Sequence, residues 1–234
     1  MFKLNNYKTG FNKKIFFANQ FNIIKALFLL KNFSYVNFIE SVDVSVNLGI
    51  DVKKSDQNIF NFIKLPNNLD RNLRIAVFAQ GINLKLLQKI GVDFVGTNNL
   101  VNLIKSGKFS FDIIVSSPDL MYIVNEVSSI LGPLGLMPNI KLGTLTRDIV
   151  ETVKNIKFSQ ICYRNDKYGI VHFTIGKINH KIIKLKENFE TAICSLIKIK
   201  PISFKGIYIK KIILSTTMGP GLIINKNSLF IKNI

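Results

Sequence analysis

Tryptophan is absent from this chain, cysteine and histidine occur twice each, and 14 acidic residues stand against 32 basic ones. Each shortage removes a class of function. Two cysteines, Cys162 and Cys194, are too few for a disulfide framework and lack metal-ligand spacing, so they read as buried free thiols in a reducing compartment. His172, inside a strand pattern, and His180, near a helix start, have no carboxylate or nucleophile at a recognisable spacing, and Asp43, Asp51, Asp56 and Asp166 form no metal motif. The residues of an enzyme are therefore missing, and no cofactor is expected. Long apolar runs are missing too: lysine or asparagine interrupts every candidate before the roughly 18 residues of a membrane span. The chain is expected to be soluble and without a membrane partner. Peripheral attachment would need a basic amphipathic helix with exposed apolar residues, for which Phe11 to Leu30 is the candidate.

What remains is a hydrophobic content of 47%, enough to build real cores in 234 residues, and a formal net charge of +18. Such a charge implies a polyanionic partner, with nucleic acid and an anionic membrane surface as the main options. Its distribution is uneven: residues 1 to 66 carry +5, residues 67 to 159 carry +3 and residues 160 to 234 carry +10. If the two ends form one domain, that domain holds most of the charge and should own the binding face. The first 39 residues contain six lysines and no acid, as a transit peptide might, but no arginine either, and the N-terminus is read as mature protein. The abundance of Asn, Ile, Lys and Phe fits codon drift toward A and T, in a reduced genome such as an endosymbiont's or in an organelle.

Periodicity gives the order of elements. Phe21 to Lys31 is an amphipathic helix with Ile23, Ile24, Leu27 and Leu30 at helical spacing. Ser41 to Leu48 switches to period two, with Val42, Val44, Val46 and Leu48 on one face and Ser41, Asp43, Ser45 and Asn47 on the other. A polar loop with Lys53 and Lys54 follows. Beyond the break at Leu65 to Asn68 come Arg74 to Phe78 as strand, Leu84 to Ile90 as helix, Val92 to Val95 as strand, Leu100 to Lys105 as helix, Phe111 to Val115 as strand and Leu120 to Leu131 as helix. This alternation predicts a small parallel sheet in a doubly wound domain. Then Gln160 to Arg164 and Ile170 to Ile175 read as a hairpin through Asn165 to Gly169. Lys184 to Lys198 is a helix with Leu185, Phe189, Ala192, Ile193, Leu196 and Ile197 buried, and Ile207 to Leu214 and Leu222 to Ile224 are closing strands. The expected fold is α/β, more closely α+β. Residues 1–66 and 159–234 form a discontinuous α+β domain, and residues 67–158 an inserted, three-layer Rossmann-like one, hinged at crossings near Pro66 and Phe158.

A doubly wound domain invites a nucleotide-dependent enzyme as the competing reading. Ala79 to Asn83, after its first strand, has neither the dinucleotide fingerprint nor the P-loop pattern, and Gly132 to Gly135 follows a helix instead of a strand. That reading is disfavoured.

The stretch Ser215, Thr216, Thr217, Met218, Gly219 lies between two strands and contains no acid, base or metal ligand. Hydroxyls, a flexible thioether and glycine suit a surface lying flush against sugar and phosphate. Together with Phe38 to Asp43, Leu48 to Asp51, Lys54 to Asn58, Leu131 to Asn139, Tyr163 to Lys167 and Lys205 to Lys211, it resembles the large-subunit ribosomal protein L-one family in its bacterial or organellar form. The resemblance runs in unbroken order from about Phe21 to about Leu229. It implies a ribosomal stalk protein that binds large-subunit ribosomal RNA, assists exit-site tRNA and represses translation on its own messenger RNA, monomeric when free. It also implies RNA contacts at Phe38, Glu40, Arg164, Asp166, Thr217, Met218 and Gly219, to which Lys53, Lys54, Lys167, Ser215 and Thr216 are added from their place in the pattern. Thr216, Thr217 and Met218 would line a shallow groove, and Glu40 and Asp166 would accept from base amino groups or sugar hydroxyls, or orient a neighbouring arginine. Leu134 and Ile140 depart from the family's usual arginine and proline.

Overall fold

The computed structural model describes residues 20–80, 86–87, 90–107, 110–201 and 204–226. The described residues form two compact units, one within Met1–Asp70 and Ile161–Ile234, the other within Arg71–Gln160.

The discontinuous unit is built on a five-stranded sheet. Its strands are β1 (Gln20–Phe21), β2 (Ser41–Leu48), β8 (Ile170–Lys177), β9 (Ile209–Thr216) and β10 (Leu222–Ile224), in the order β1-β10-β9-β2-β8. β2 runs antiparallel to both of its neighbours, β8 and β9. Its alternation is the predicted one: Val42, Val44, Val46 and Leu48 are all buried while the intervening residues face out. Two helices cover the inner face. Helix α1 (Ile23–Phe33) buries Ile23, Ala26, Leu27 and Leu30. The predicted stripe included Ile24, but Ile24 is 49% exposed, because 100° per residue carries it off the side that Ile23 and Leu27 share. Helix α6 (Ile182–Lys198) buries Leu185, Phe189, Ala192, Ile193 and Leu196, together with the polar Asn188. A second, two-stranded sheet pairs β3 (Phe60–Lys64) with β7 (Gln160–Arg164).

That pairing corrects the expected hairpin between Gln160 to Arg164 and Ile170 to Ile175, since β7 joins β3 while β8 joins β2, with a single bridge, Asn165 to Val171, between them. Asn165 is the cause: its N–H donates to Ile59 O at 3.1 Å and its Oδ1 accepts from Ile59 N–H at 2.7 Å, which claims β7 for the other sheet. The expectation of buried thiols also fails. Cys162 is exposed, on the outward phase of β7, and Cys194 is half-buried.

The inserted unit carries a parallel three-stranded sheet, β5-β4-β6, from β4 (Ile75–Phe78), β5 (Phe94–Gly96) and β6 (Ile113–Ser116). Every residue of β4 is buried, as a strand covered on both faces requires. Ala76 and Phe78 pack with α2 (Asn98–Lys105), α3 (Met121–Asn125) and α4 (Ser128–Leu134) on one side, and Ile75 and Val77 pack with α5 (Ile149–Phe158) on the other. The single helix expected over Leu120 to Leu131 is two. Glu126 and Val127 donate to the carbonyls three residues back, tightening the turn and resetting the register, and Val127 and Leu131 stay buried. The helix expected at Leu84 to Ile90 lies largely outside the described residues.

Candidate nucleic-acid interface

Period two gives β2 an outer face of Ser41, Asp43, Ser45 and Asn47, and the register sets Lys177, Thr174, His172 and Ile170 of β8 opposite them. Ser215, Ile213 and Lys211 of β9 flank the same row on the other side. Side chains tie this face together: Thr174 Oγ1 donates to Asp43 Oδ1 at 2.6 Å, Lys177 Nζ to Ser41 Oγ at 3.1 Å, and Ser45 Oγ meets His172 Nδ1 at 3.0 Å. Eight residues of strand give the face a length of about 23 Å.

At one end, the start of β2 meets the turn that follows β9. Glu40 Oε1 accepts from the N–H of Met218 at 2.9 Å, and Thr217 Oγ1 accepts from the N–H of Ser41 at 3.1 Å. These two bonds join positions 178 and 176 residues apart in the sequence. Gly219 closes the turn by donating to Thr216 O at 3.2 Å. It is glycine for reasons of space: a Cβ there would stand 2.1 Å from Thr216 Oγ1. The result presents Phe38, Ile39 and Met218, each more than half exposed, beside the exposed Thr217.

Two expectations need correcting at this end. Thr216 is 4% exposed, so strand alternation turns it inward to support the turn while Ser215 and Thr217 face out. Glu40 is 1% exposed and its Oε2 is buried without a hydrogen-bond partner. Its carboxylate shapes the turn from below and does not reach out to accept from bases or sugars.

At the other end of the face, Asn165 Nδ2 donates to Asn58 Oδ1 at 3.3 Å, which sets the loop of Lys53 and Lys54 beside the loop of Arg164 and Lys167. All four cations are exposed. Asp166 Oδ1 accepts from the N–H groups of Tyr168 and Ile170, both at 2.8 Å, and its Oδ2 lies 3.7 Å from His172 Nε2. Desolvation alone would raise the Asp166 carboxyl, but the Ile170 and Tyr168 donors, with the neighbouring His172, together hold it below the ordinary carboxylate range. Asp166 thus fixes its loop as an Asx turn.

The structure therefore gathers Phe38, Glu40, Ser215, Thr216, Thr217, Met218 and Gly219 at one end, and Lys53, Lys54, Arg164, Asp166 and Lys167 at the other. Sequence reasoning missed what lies between: Asp43, Ser45, His172, Thr174, Lys177 and Lys211. The signal was present in the alternation of β2, which sets Ser41, Asp43, Ser45 and Asn47 on one face. In the inserted unit, a cavity of about 310 Å³ is lined by Arg147, Asp148, Ile149, Val150, Glu151 and Lys154. It has no glycine to cradle a phosphate and mixes both charges. Among the described residues, no group of three or more His, Cys, Asp or Glu converges as a metal site would require.

Residues 30–220 match the family model described as "Ribosomal protein L1p/L10e family". The chain is 48% identical over 229 residues to the "Large ribosomal subunit protein uL1" of Cellvibrio japonicus (strain Ueda107), an alignment covering 98% of this chain and 99% of that protein. It is 47% identical over 229 residues to the protein of the same name from Proteus mirabilis (strain HI4320), covering 98% of each.

Proposed function

We propose a function from one premise: this chain belongs to the ribosomal protein L1p/L10e family. It is a structural constituent of the large subunit of a bacterial-type ribosome, an RNA-binding protein and not an enzyme. Its work is binding and positioning.

The finer reading is that the outer face of the five-stranded sheet clamps the stalk region of large-subunit ribosomal RNA. The observation that carries it is the buried Glu40 carboxylate holding the N–H of Met218. That bond fixes a rigid turn that presents a thioether, a hydroxyl and an aromatic ring. Such a surface packs on riboses and bases, and glycine at 219 lets the turn close against the buried Thr216. Lys53, Lys54, Arg164 and Lys167 then neutralise phosphates at the far end, and the sheet hydroxyls between the two ends bond sugars. Shape and sugar contacts give specificity, and the lysines give affinity and salt dependence.

Two further roles rest on the family alone: assisting the release of exit-site tRNA as the inserted unit moves on its two chain crossings, and repression of the protein's own messenger RNA through a similar RNA structure. Monomeric behaviour when free, and an origin in an AT-rich endosymbiont or an organelle, belong to the same reading.

Titrating the purified protein with stalk-region ribosomal RNA from its own genome, beside an unrelated hairpin of equal length, tests the central claim. Charge alone predicts equal affinities that fade together with salt. The shape-specific site predicts a preference of roughly 10³ or more that survives high salt.

A further inference from the structure

The loop into which β2 opens is gripped from two sides. Leu48 N–H donates at 3.0 Å to Gly169 O, in the loop that carries Arg164 and Lys167, and Gly49 N–H donates at 2.8 Å to Tyr208 O, in the segment that leads into β9. The second grip is close: a Cβ at Gly49 would run into the Ile207 carbonyl and would stand 3.1 Å from Phe204 Cζ and 3.5 Å from Lys210 Cε. The basic end of the sheet therefore has a third wall, from Phe204 to Lys210, besides the two loops already described.

Aromatic residues anchor this wall. Phe204 and Tyr208 meet edge to face with ring centroids 5.7 Å apart, and Lys200 Nζ lies 5.7 Å from the centre of the Phe204 ring. Tyr208 is buried, and Gly206 turns the chain before it at φ 112°, a backbone angle that other residues rarely adopt. Lys205 and Ile207 are left outside, Ile207 being 71% exposed.

Lys210 faces out for a different reason. The inward phase of β9 is Ile212, Leu214 and Thr216, and strict alternation would send Lys210 in with them. The pairing with β2 shifts at this point: Asn47 lies opposite Lys211, and Leu48 lies opposite Ile209. The extra residue on β9 makes a bulge, so that Ile209 is buried while Lys210 and Lys211 are both exposed. The bulge thus aims a second lysine outward, with its stem passing over Gly49. Acids at this end turn to backbone instead: Asp51 Oδ1 accepts from the N–H of Lys53 at 3.2 Å, as Asp166 Oδ1 does from Tyr168 and Ile170.

We propose that Lys205, Ile207 and Lys210 form a second grip on the RNA backbone, on the opposite side of the Lys53 and Lys54 loop from Arg164 and Lys167. The inference rests on the reading of this unit as a stalk-RNA binder and extends the interface to the β9 side. The two lysines pair with phosphates and Ile207 lies against ribose, an alternation of charge and apolar surface that suits a sugar-phosphate chain and reads no base edge. RNA is the occupant that charge and continuity select: the two terminal stretches carry most of the net charge of +18, and the wall adjoins the loop of Lys53 and Lys54.

The test titrates the full chain with stalk-region RNA across salt. Lys205→Gln with Lys210→Gln is expected to reduce the slope of log affinity against log salt by roughly one to two. Ile207→Ser is expected to lower affinity by roughly three- to tenfold at the parental slope, because it removes an apolar contact and no charge. The control is Lys25→Gln with Lys184→Gln, which removes the same charge from the two helices on the inner face and should leave the slope at the parental value. Melting temperatures should match the parent's in all three, since each altered side chain is exposed. A parental slope in the Lys205 and Lys210 variant, or an equal change in the control, overturns this inference alone when the parent prefers stalk RNA to an unrelated hairpin. A parent that binds both RNAs alike overturns the stalk-RNA reading, and this inference with it.

Discussion

Thr217 and Met218 form the exposed crest of the proposed interface, and Thr217 Oγ1 also accepts from Ser41 N–H, tying the turn to β2. Thr217→Ala with Met218→Ala is expected to weaken binding to the stalk RNA by roughly ten- to a hundredfold, the loss of a hydroxyl contact and an apolar one, while the melting temperature falls only by the few degrees that the lost Ser41 N–H bond to Thr217 Oγ1 is worth. A filter-binding titration beside a calorimetric scan checks both halves, and a folded double variant with parental affinity would remove the assignment. Gly219→Ala is expected to do the opposite kind of damage. The added methyl meets Thr216 Oγ1 inside a closed turn, so about 1–3 kcal/mol of stability and the RNA affinity should fall together. Thr217, Met218 and Gly219 stand out through the family resemblance, because hydroxyls and glycine are by themselves ordinary turn residues. The sequence could not reveal that Glu40 and Thr216 point inward. Glu40 in particular is decided by a bond across 178 residues, which no local pattern encodes.

Helices and strands follow a different logic, in which burial decides. Phe189 of α6 is fully buried in the core beneath the five-stranded sheet, and Phe189→Ala should cost about 3–5 kcal/mol, read by denaturant unfolding. In the inserted unit, Asp112 accepts from the backbone N–H of Arg74 and from its guanidinium, and these hold its carboxyl below the ordinary value despite some desolvation. A depressed acid stabilises above its unfolded value, near 3.9, and that stabilisation is lost as the pH falls through the folded value. Asp112→Asn should therefore lower stability modestly at neutral pH, where the parent has this contribution in full, and flatten the acid limb of the unfolding curve below about pH 4, where the parent loses it. Strict alternation made β2 readable to the residue, and the αβ alternation of the insert was readable for the same reason. The Gln160 to Ile175 hairpin was misread because short sequence separation is only a prior for pairing. Asn165 outbids it with two hydrogen bonds to Ile59.

For the molecule as a whole, charge is concentrated in the two terminal stretches that form the discontinuous unit. Lys53→Ala with Lys54→Ala should lower affinity for stalk RNA and unrelated hairpin alike, and reduce the slope of log affinity against log salt by about two. An unchanged slope would show that this loop stands clear of the phosphates. The order of strands in the main sheet has a further consequence, for biosynthesis. β2 lies between β8 and β9, so its two neighbours are translated more than a hundred residues later, after the entire inserted unit. The inserted unit can fold while the chain is still emerging, whereas β2 must wait with its apolar edge and Glu40 unsatisfied. The proposed RNA face is thus completed only when the Thr217 to Gly219 turn arrives to close against Ser41. On that proposal, a nascent copy gains its RNA site only once β9 and this turn have been made.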